Sequence, residues 1–108
     1  MSFCNLRSRG QLEVAPNAMT KTFWGEKMLL SLIEMEPHTE VPTHRHPHEQ
    51  VGIVLEGEVL LWIGTEKRLL KSGDCFIIPS NIDHGACTES THTLIADIFS
   101  PVREDFIY

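Results

Sequence analysis

The sequence predicts an all-β domain, a sandwich or barrel of antiparallel strands. Its apolar residues fall in short runs rich in Val, Ile and Leu, and Gly, Pro, Asn or Asp residues separate one run from the next. No longer segment repeats its apolar residues with the period of an α-helix. The runs lie at residues 28–35, 51–55, 59–63, 68–71, 75–79 and 93–99.

Turn residues mark where each run ends. The runs at 51–55 and 59–63 are separated by Glu56-Gly57-Glu58, a spacing that predicts a tight hairpin. The run at 75–79 ends in Pro79, and the last run stops just before Pro101. Because proline cannot donate to a strand ladder, both prolines are expected at strand ends.

Length and charge limit the function classes. A chain of 108 residues builds one core, so we expect a single domain over residues 1–108 with its barrel core at about residues 22–100. The net charge of −6 and the lack of a Lys/Arg cluster argue against nucleic acid as a partner.

Membranes and secretion are also not expected. No apolar run is long enough to span a bilayer, and residues 1–10 lack the apolar segment of a signal peptide. The three cysteines, Cys4, Cys75 and Cys87, have no CxxC spacing, which favours small buried thiols in a reducing cytoplasm. We therefore expect a cytoplasmic protein.

One run is apolar on both strand faces. Residues 59–63 read VLLWI, so the side chains on each face need cover. The cover is either the N-terminal segment or a second subunit, and we expect a homodimer.

Three histidines crowd the segment before the run at 51–55. Along a strand, residues two apart share a face, so His44 and His46 would project side by side, with Gln50 on the same face and Glu49 pointing away. Paired imidazoles suit a divalent metal better than a core, since each ring has a donor and an acceptor that need partners. The alternative is a polar loop of exposed histidines.

The segment at 43–58, taken with GDCFIIPSNIDHG at 73–85, resembles the cupin superfamily. The first motif is His44-x-His46, three residues, Gln50, six residues and Gly57; the second is Gly73, five residues, Pro79 and then His84. The resemblance implies a jelly-roll-like antiparallel β-barrel. It also implies one divalent ion, Zn, Ni, Fe, Mn or Cu, held by His44, His46, Gln50 and His84.

The motifs depart from the usual pattern at a few positions. His38 and Asn81 stand where the family has glycine, and Gln50 replaces the usual glutamate unless Glu49 binds instead. Three imidazoles and an amide leave the ion's +2 charge uncompensated, so such a site attracts small anionic ligands.

The tail LIADIFSPVREDF resembles the end of small cupins that convert unsaturated uronates, released by pectin or alginate lyases, into linear keto-sugars. That resemblance implies catalytic roles for Asp97 and Arg103. Gly52 is a departure, since those enzymes have a polar side chain there.

The leading hypothesis is an enzyme that hydrates, opens or tautomerises a small anionic sugar acid. Asp97 would transfer a proton, and Arg103 would pair with the substrate carboxylate. A metal-dependent oxygenase and a non-enzymatic metabolite-binding module are the alternatives.

The other histidines and the tryptophans have simpler interpretations. His48 is expected next to the ligands or at the surface, and His38 and His92 are expected to be exposed. Trp24 and Trp62 are expected in the core or at the dimer interface.

Overall fold

The strands form two antiparallel sheets, and the computed structural model describes residues 2–108. Within this range there are ten strands and two 3₁₀ turns, at Leu6–Ser8 and Glu104–Phe106. The strands are β1 Leu12–Ala15, β2 Ala18–Trp24, β3 Leu29–Met35, β4 Glu40–His44, β5 Glu49–Glu56, β6 Glu58–Ile63, β7 Glu66–Lys71, β8 Cys75–Ile78, β9 His84–Cys87 and β10 Thr93–Ser100. No helix in residues 2–108 is long and apolar enough to cross a membrane.

Six strands form the large sheet and four form the small one. The large sheet has the order β1-β2-β3-β10-β5-β8, and the small sheet has the order β4-β9-β6-β7. The predicted all-β class is confirmed, and the two sheets of the structure fit a jelly-roll.

The core lies on the inner faces of both sheets. Along β3 and β10 every second residue is buried, as expected for strands with one face towards a core. The main apolar cluster includes Ile33, Val54, Leu61 and Ile95. A smaller cluster of Leu29, Phe99 and Phe106 lies apart from it.

The six predicted runs correspond to β3, β5, β6, β7, β8 and β10. Strands β1, β2, β4 and β9 had no apolar run to reveal them. In β2 the buried side chains include Thr20 and Thr22, whose hydroxyls bond to Ser31 Oγ and to the Phe106 carbonyl at 2.6 Å each. Because polar residues occupy its inner face, β2 lacks the usual alternation of apolar and polar residues. The first strand begins at Leu12, whereas the sequence predicted a barrel core from about residue 22.

The predicted hairpin at Gly57 is wrong. Strands β5 and β6 lie in different sheets, so the chain passes at Gly57 from the large sheet to the small one. Gly57 has a φ of +78°, and a Cβ there would overlap the His92 carbonyl oxygen. Glycine therefore permits both the backbone conformation and the close approach of the chain.

The outer face of the large sheet carries an exposed apolar row. The row consists of four cross-strand neighbours: Leu30 on β3, Ile98 on β10, Val51 on β5 and Ile77 on β8. Their exposed fractions are 38%, 41%, 37% and 64%. Strand β1 extends the edge of this sheet and packs Val14 against the core, so it does not cover the row.

Two glycine substitutions separate backbone strain from steric overlap. Gly73 also has positive φ, +95°, but has open space around its missing Cβ. We expect Gly73→Ala to lower the free energy of unfolding by about 1–2 kcal/mol, the cost of a left-handed alanine. Gly57→Ala should cost clearly more, because the overlap adds to the strain.

Urea unfolding of both variants and the wild type would measure the difference. Equal losses for the two variants would contradict a steric role for the His92 carbonyl at this corner.

Candidate metal centre

Three histidines, two from strands and one from a loop, converge at one end of the small sheet. His44 ends β4 and faces His84, the first residue of β9, as its partner in the antiparallel pairing. His46 follows in the loop between β4 and β5. One ring nitrogen from each histidine lies within 4.8 Å of the others. The sequence therefore identified the three residues, but His46 arrives by a loop and not along the predicted strand.

Each imidazole is oriented by a hydrogen bond to the backbone nearby. Its Nδ1 lies 2.8–2.9 Å from a carbonyl oxygen two residues away along the chain. The carbonyls belong to Pro42 for His44, His48 for His46 and Ile82 for His84. A carbonyl only accepts, so Nδ1 carries the proton and the neutral ring keeps its Nε2 lone pair for a ligand.

Gln50 completes the group from the large sheet. Its side chain is buried on β5, with Oε1 3.1 Å from His46 Nε2, whereas Glu49 is exposed. Gln50 faces the histidines and Glu49 does not, as expected, although the loop at residues 45–48 interrupts the strand alternation on which that expectation rested. This placement favours Gln50 over Glu49 as the oxygen ligand.

The surroundings of His46 and His84 keep these two imidazoles neutral. Burial lowers the pKa of His46 to about 4, with further contributions from Arg103 and His84. Burial also lowers the pKa of His84. At neutral pH both rings are therefore uncharged, which is the form that binds metal ions.

The donor set fits a divalent cation. His84 Nε2 is buried without a hydrogen-bond partner in residues 2–108. His46 Nε2 and Gln50 Oε1 face each other as two acceptors, an arrangement that a shared cation stabilises. Three imidazoles and an amide oxygen suit zinc, nickel, iron or copper, and manganese through the oxygen.

Asp97 lines the same cavity as Gln50 and lies in the next cross-strand row of the large sheet. It is 6% exposed on β10 and opposes Gly52 on β5 and Ser31 on β3. Its Oδ1 is buried and unpartnered within the described chain. Burial raises the pKa of this carboxyl to about 7, although Gln50 and Arg103 oppose the shift. The predicted inward face of β10, from Thr93 to Phe99, is confirmed.

Arg103 lies just beyond β10 and lines the same cavity. Its guanidinium carbon is 4.0 Å from the Phe106 ring centroid and 5.1 Å from that of Phe99. Its Nε donates to Asp105 at 3.0 Å. The two aromatic rings and Asp105 therefore hold a positive charge beside Asp97 and the histidines.

The remaining residues singled out from the sequence lie outside this group. His48 is buried but contributes only its carbonyl, and its Nε2 lies 3.5 Å from Glu104. His38 and His92 are exposed as predicted.

The tryptophans do not line the cavity. Trp24 is 41% exposed, and Trp62 lies partly buried over Gly85, where a Cβ would overlap its indole ring.

Two cavity residues were missed by the sequence reasoning. Phe76 and Phe106 both line the cavity that contains Asp97. Phe76 shares its strand face with buried Ile78, so the alternation in the run at 75–79 carried the signal. Phe106 belongs to the tail motif but was given no role.

Comparisons with known proteins agree with this geometry. The cupin domain family matches residues 31–98, which hold the four candidate ligands and Asp97. The pectin degradation protein KdgF of Dickeya dadantii is 29% identical over 85 residues, 78% of this chain and 77% of that protein.

Solved structures show the same fold. An RmlC-like cupin from Shewanella frigidimarina superposes with a TM-score of 0.92 at 28% identity, covering 99% of this chain and 96% of the other. KdgF from Halomonas sp. superposes with a TM-score of 0.90, also at 28% identity, covering 98% of this chain and all of that one.

Removing two of the imidazoles should abolish metal binding. His44→Ala with His46→Ala leaves one imidazole and an amide, so the metal content of the reconstituted protein should fall below detection. The wild type should gain up to about 2.7 kcal/mol of stability at a metal concentration of 100 Kd, less any binding to the unfolded chain, and the variant should gain none. Elemental analysis and thermal melts with and without metal would measure both effects.

The matched control also removes two histidines. His38→Asn with His92→Ala changes two exposed residues, and asparagine tolerates the positive φ of position 38. It should bind metal as the wild type does. A wild-type protein that binds no divalent ion after reconstitution would contradict the assignment.

Proposed function

Because the chain belongs to the cupin domain family, we propose that it is a metal-dependent enzyme that acts on a small anionic sugar acid. One observation carries the proposal. The imidazoles of His44 and His84, a buried carboxyl and an arginine line a single cavity, and a ring nitrogen of His46 lies within 4.8 Å of those of the other two histidines. The family match covers 68 of 108 residues.

We assign the metal ligands to His44, His46, Gln50 and His84. The unpartnered His84 Nε2 and the facing acceptors of His46 and Gln50 support this assignment. When bound, the ion polarises a carbonyl or hydroxyl oxygen of the substrate as a Lewis acid.

Asp97 is assigned the proton transfer. A carboxyl whose pKa lies near 7 can both accept and donate a proton at neutral pH, which is what general acid–base catalysis requires. Its unpartnered Oδ1 is the atom that would carry the proton.

Arg103 is assigned to bind the substrate carboxylate. Its planar guanidinium can donate two parallel hydrogen bonds to a carboxylate, and Phe106 and Asp105 fix its orientation. With a carboxylate held there, the rest of a small acid extends towards Asp97.

The substrate class we propose is the unsaturated uronates of pectin or alginate breakdown, in agreement with the similarity to a pectin degradation protein. Ring opening transfers protons without changing the formula. The anomeric hydroxyl loses a proton and becomes an aldehyde while the bond from its carbon to the ring oxygen breaks, and the ring oxygen takes up a proton and becomes an enol hydroxyl. The enol then loses this hydroxyl proton, gains a proton on carbon and becomes a ketone. Asp97 is placed to serve the transfers of either step.

We also propose that two copies of the chain pair through the exposed apolar row of the large sheet. In such a dimer the four side chains of the row would lose their contact with water: Leu30, Ile98, Val51 and Ile77.

The cytoplasmic location stays a prediction from the sequence.

Asp97→Asn tests the proton transfer. Asparagine keeps the shape but cannot take up a proton, so kcat on unsaturated uronates should fall by about 10²–10⁴ while substrate binding changes little. Steady-state kinetics of metal-loaded protein would measure this. Unchanged turnover would reduce Asp97 to a structural residue.

Arg103→Ala tests the carboxylate contact. The loss should appear mainly in KM and amount to about 1.5–3 kcal/mol, the range for a charged hydrogen bond. Arg103→Lys should recover part of it, since lysine keeps the charge but not the planar fork. A loss confined to kcat would contradict the binding role.

Ile98→Lys tests the dimer. Light scattering at micromolar concentration should give a dimer mass for the wild type and a monomer mass for the variant, because the charge would be buried at the interface. Leu69→Lys is the control, since Leu69 is 48% exposed on the small sheet. A wild-type monomer at such concentrations would contradict the proposal.

A further inference from the structure

Gly52, Asp97 and Phe76 form one row across the inner face of the large sheet. Gly52 on β5 pairs with Asp97 on β10 at one side and with Phe76 on β8 at the other. A Cβ at Gly52 would overlap both Asp97 Oδ1 and the Phe76 ring atoms Cζ and Cε1. The two neighbours therefore share the space that a side chain at position 52 would take.

The aromatic ring consequently lies beside the reacting carboxyl. Phe76 is partly buried and lines the same cavity as Asp97, together with apolar side chains such as Ile33, Leu61 and Ile95. The cavity measures about 70 Å³, so ligand atoms near Asp97 also contact its walls. On the Phe76 side that wall has no hydrogen-bond donor or acceptor.

We propose that the apolar wall that Phe76 forms, in the space left by Gly52, determines the substrate specificity of the site. It selects uronic acids whose C4, the neighbour of the ring carbon C5 that bears the carboxylate, carries hydrogen and no hydroxyl. This inference rests on the proposed function and on the assignment of Asp97 to proton transfer. In an unsaturated uronate, C4 gains the proton, so it must approach Asp97. Because Phe76 lies beside Asp97, C4 then also approaches the phenyl ring.

The expected selectivity is moderate. A hydroxyl placed against the ring loses its hydrogen bonds to water without replacement. Apolar pockets reject an added hydroxyl by about 10²-fold at most, whereas a site that binds a hydroxyl rejects its absence far more strongly. Phe76 should therefore produce a preference of about 10–100-fold for the deoxy acid.

Two saturated acids that differ by one hydroxyl test this directly. We would titrate the metal-loaded protein calorimetrically with 4-deoxy-D-galacturonate and with D-galacturonate. The Kd of the deoxy acid should be about 10–100-fold lower. Phe76→Gln puts an amide donor and acceptor in this wall and leaves Gly52 and Asp97 unchanged. In this variant the preference should disappear or reverse.

Phe76→Leu removes the phenyl ring but keeps the wall apolar, so it should retain the preference; loss of the preference in this variant would contradict the role of the wall's apolar character. Phe23→Leu makes the same change outside the cavity, on β2, and should behave as the wild type.

The outcomes separate the two proposals. If both acids bind the wild type with equal Kd, or if the preference survives in the folded Phe76→Gln variant, the specificity assignment is overturned and the proposed function stands. Loss of the preference in Phe23→Leu would overturn it as well. If the metal-loaded wild type binds neither acid, the proposed function fails and the inference fails with it.

Discussion

The hydrogen bond from each imidazole Nδ1 to a carbonyl two residues away is the interaction on which the site depends. Because the partner is so close in sequence, the orientation of each ring is set by the local backbone and not by distant packing. The pairing of β4 with β9 then has only to bring two segments together. Local fixation of the rings and one strand pairing thus suffice to direct three lone pairs at one point.

The register of the large sheet arranges the rest of the cavity in rows. Phe99 pairs with Gln50, Asp97 with Gly52 and Ile95 with Val54, so polar function lies at one end and apolar core at the other. A slip of one residue would turn every one of these side chains to the outer face. Asp97 has room in this row because Gly52, its strand partner, has no side chain.

The sequence was informative wherever the signal was local. The spacing of His44, His46 and Gln50, and the alternation along β10, follow from near neighbours in the chain, and these predictions agree with the structure. The relation of Gly52 to Phe76 and Asp97 joins three strands far apart in sequence, so no local pattern could reveal it. The same reason explains the mistaken hairpin, because nothing within residues 56–58 says which sheet the next strand joins.

The separation of the histidines along the chain has a consequence for metal binding during folding. His44 and His46 are already neighbours in an unfolded chain, whereas His84 joins them only when β4 pairs with β9. Contacts of such long sequence separation form late, since closing the loop costs entropy before any contact offsets it. The unfolded chain therefore competes for the ion through its local pair, and metal stabilises the native state only by the ligands that folding adds.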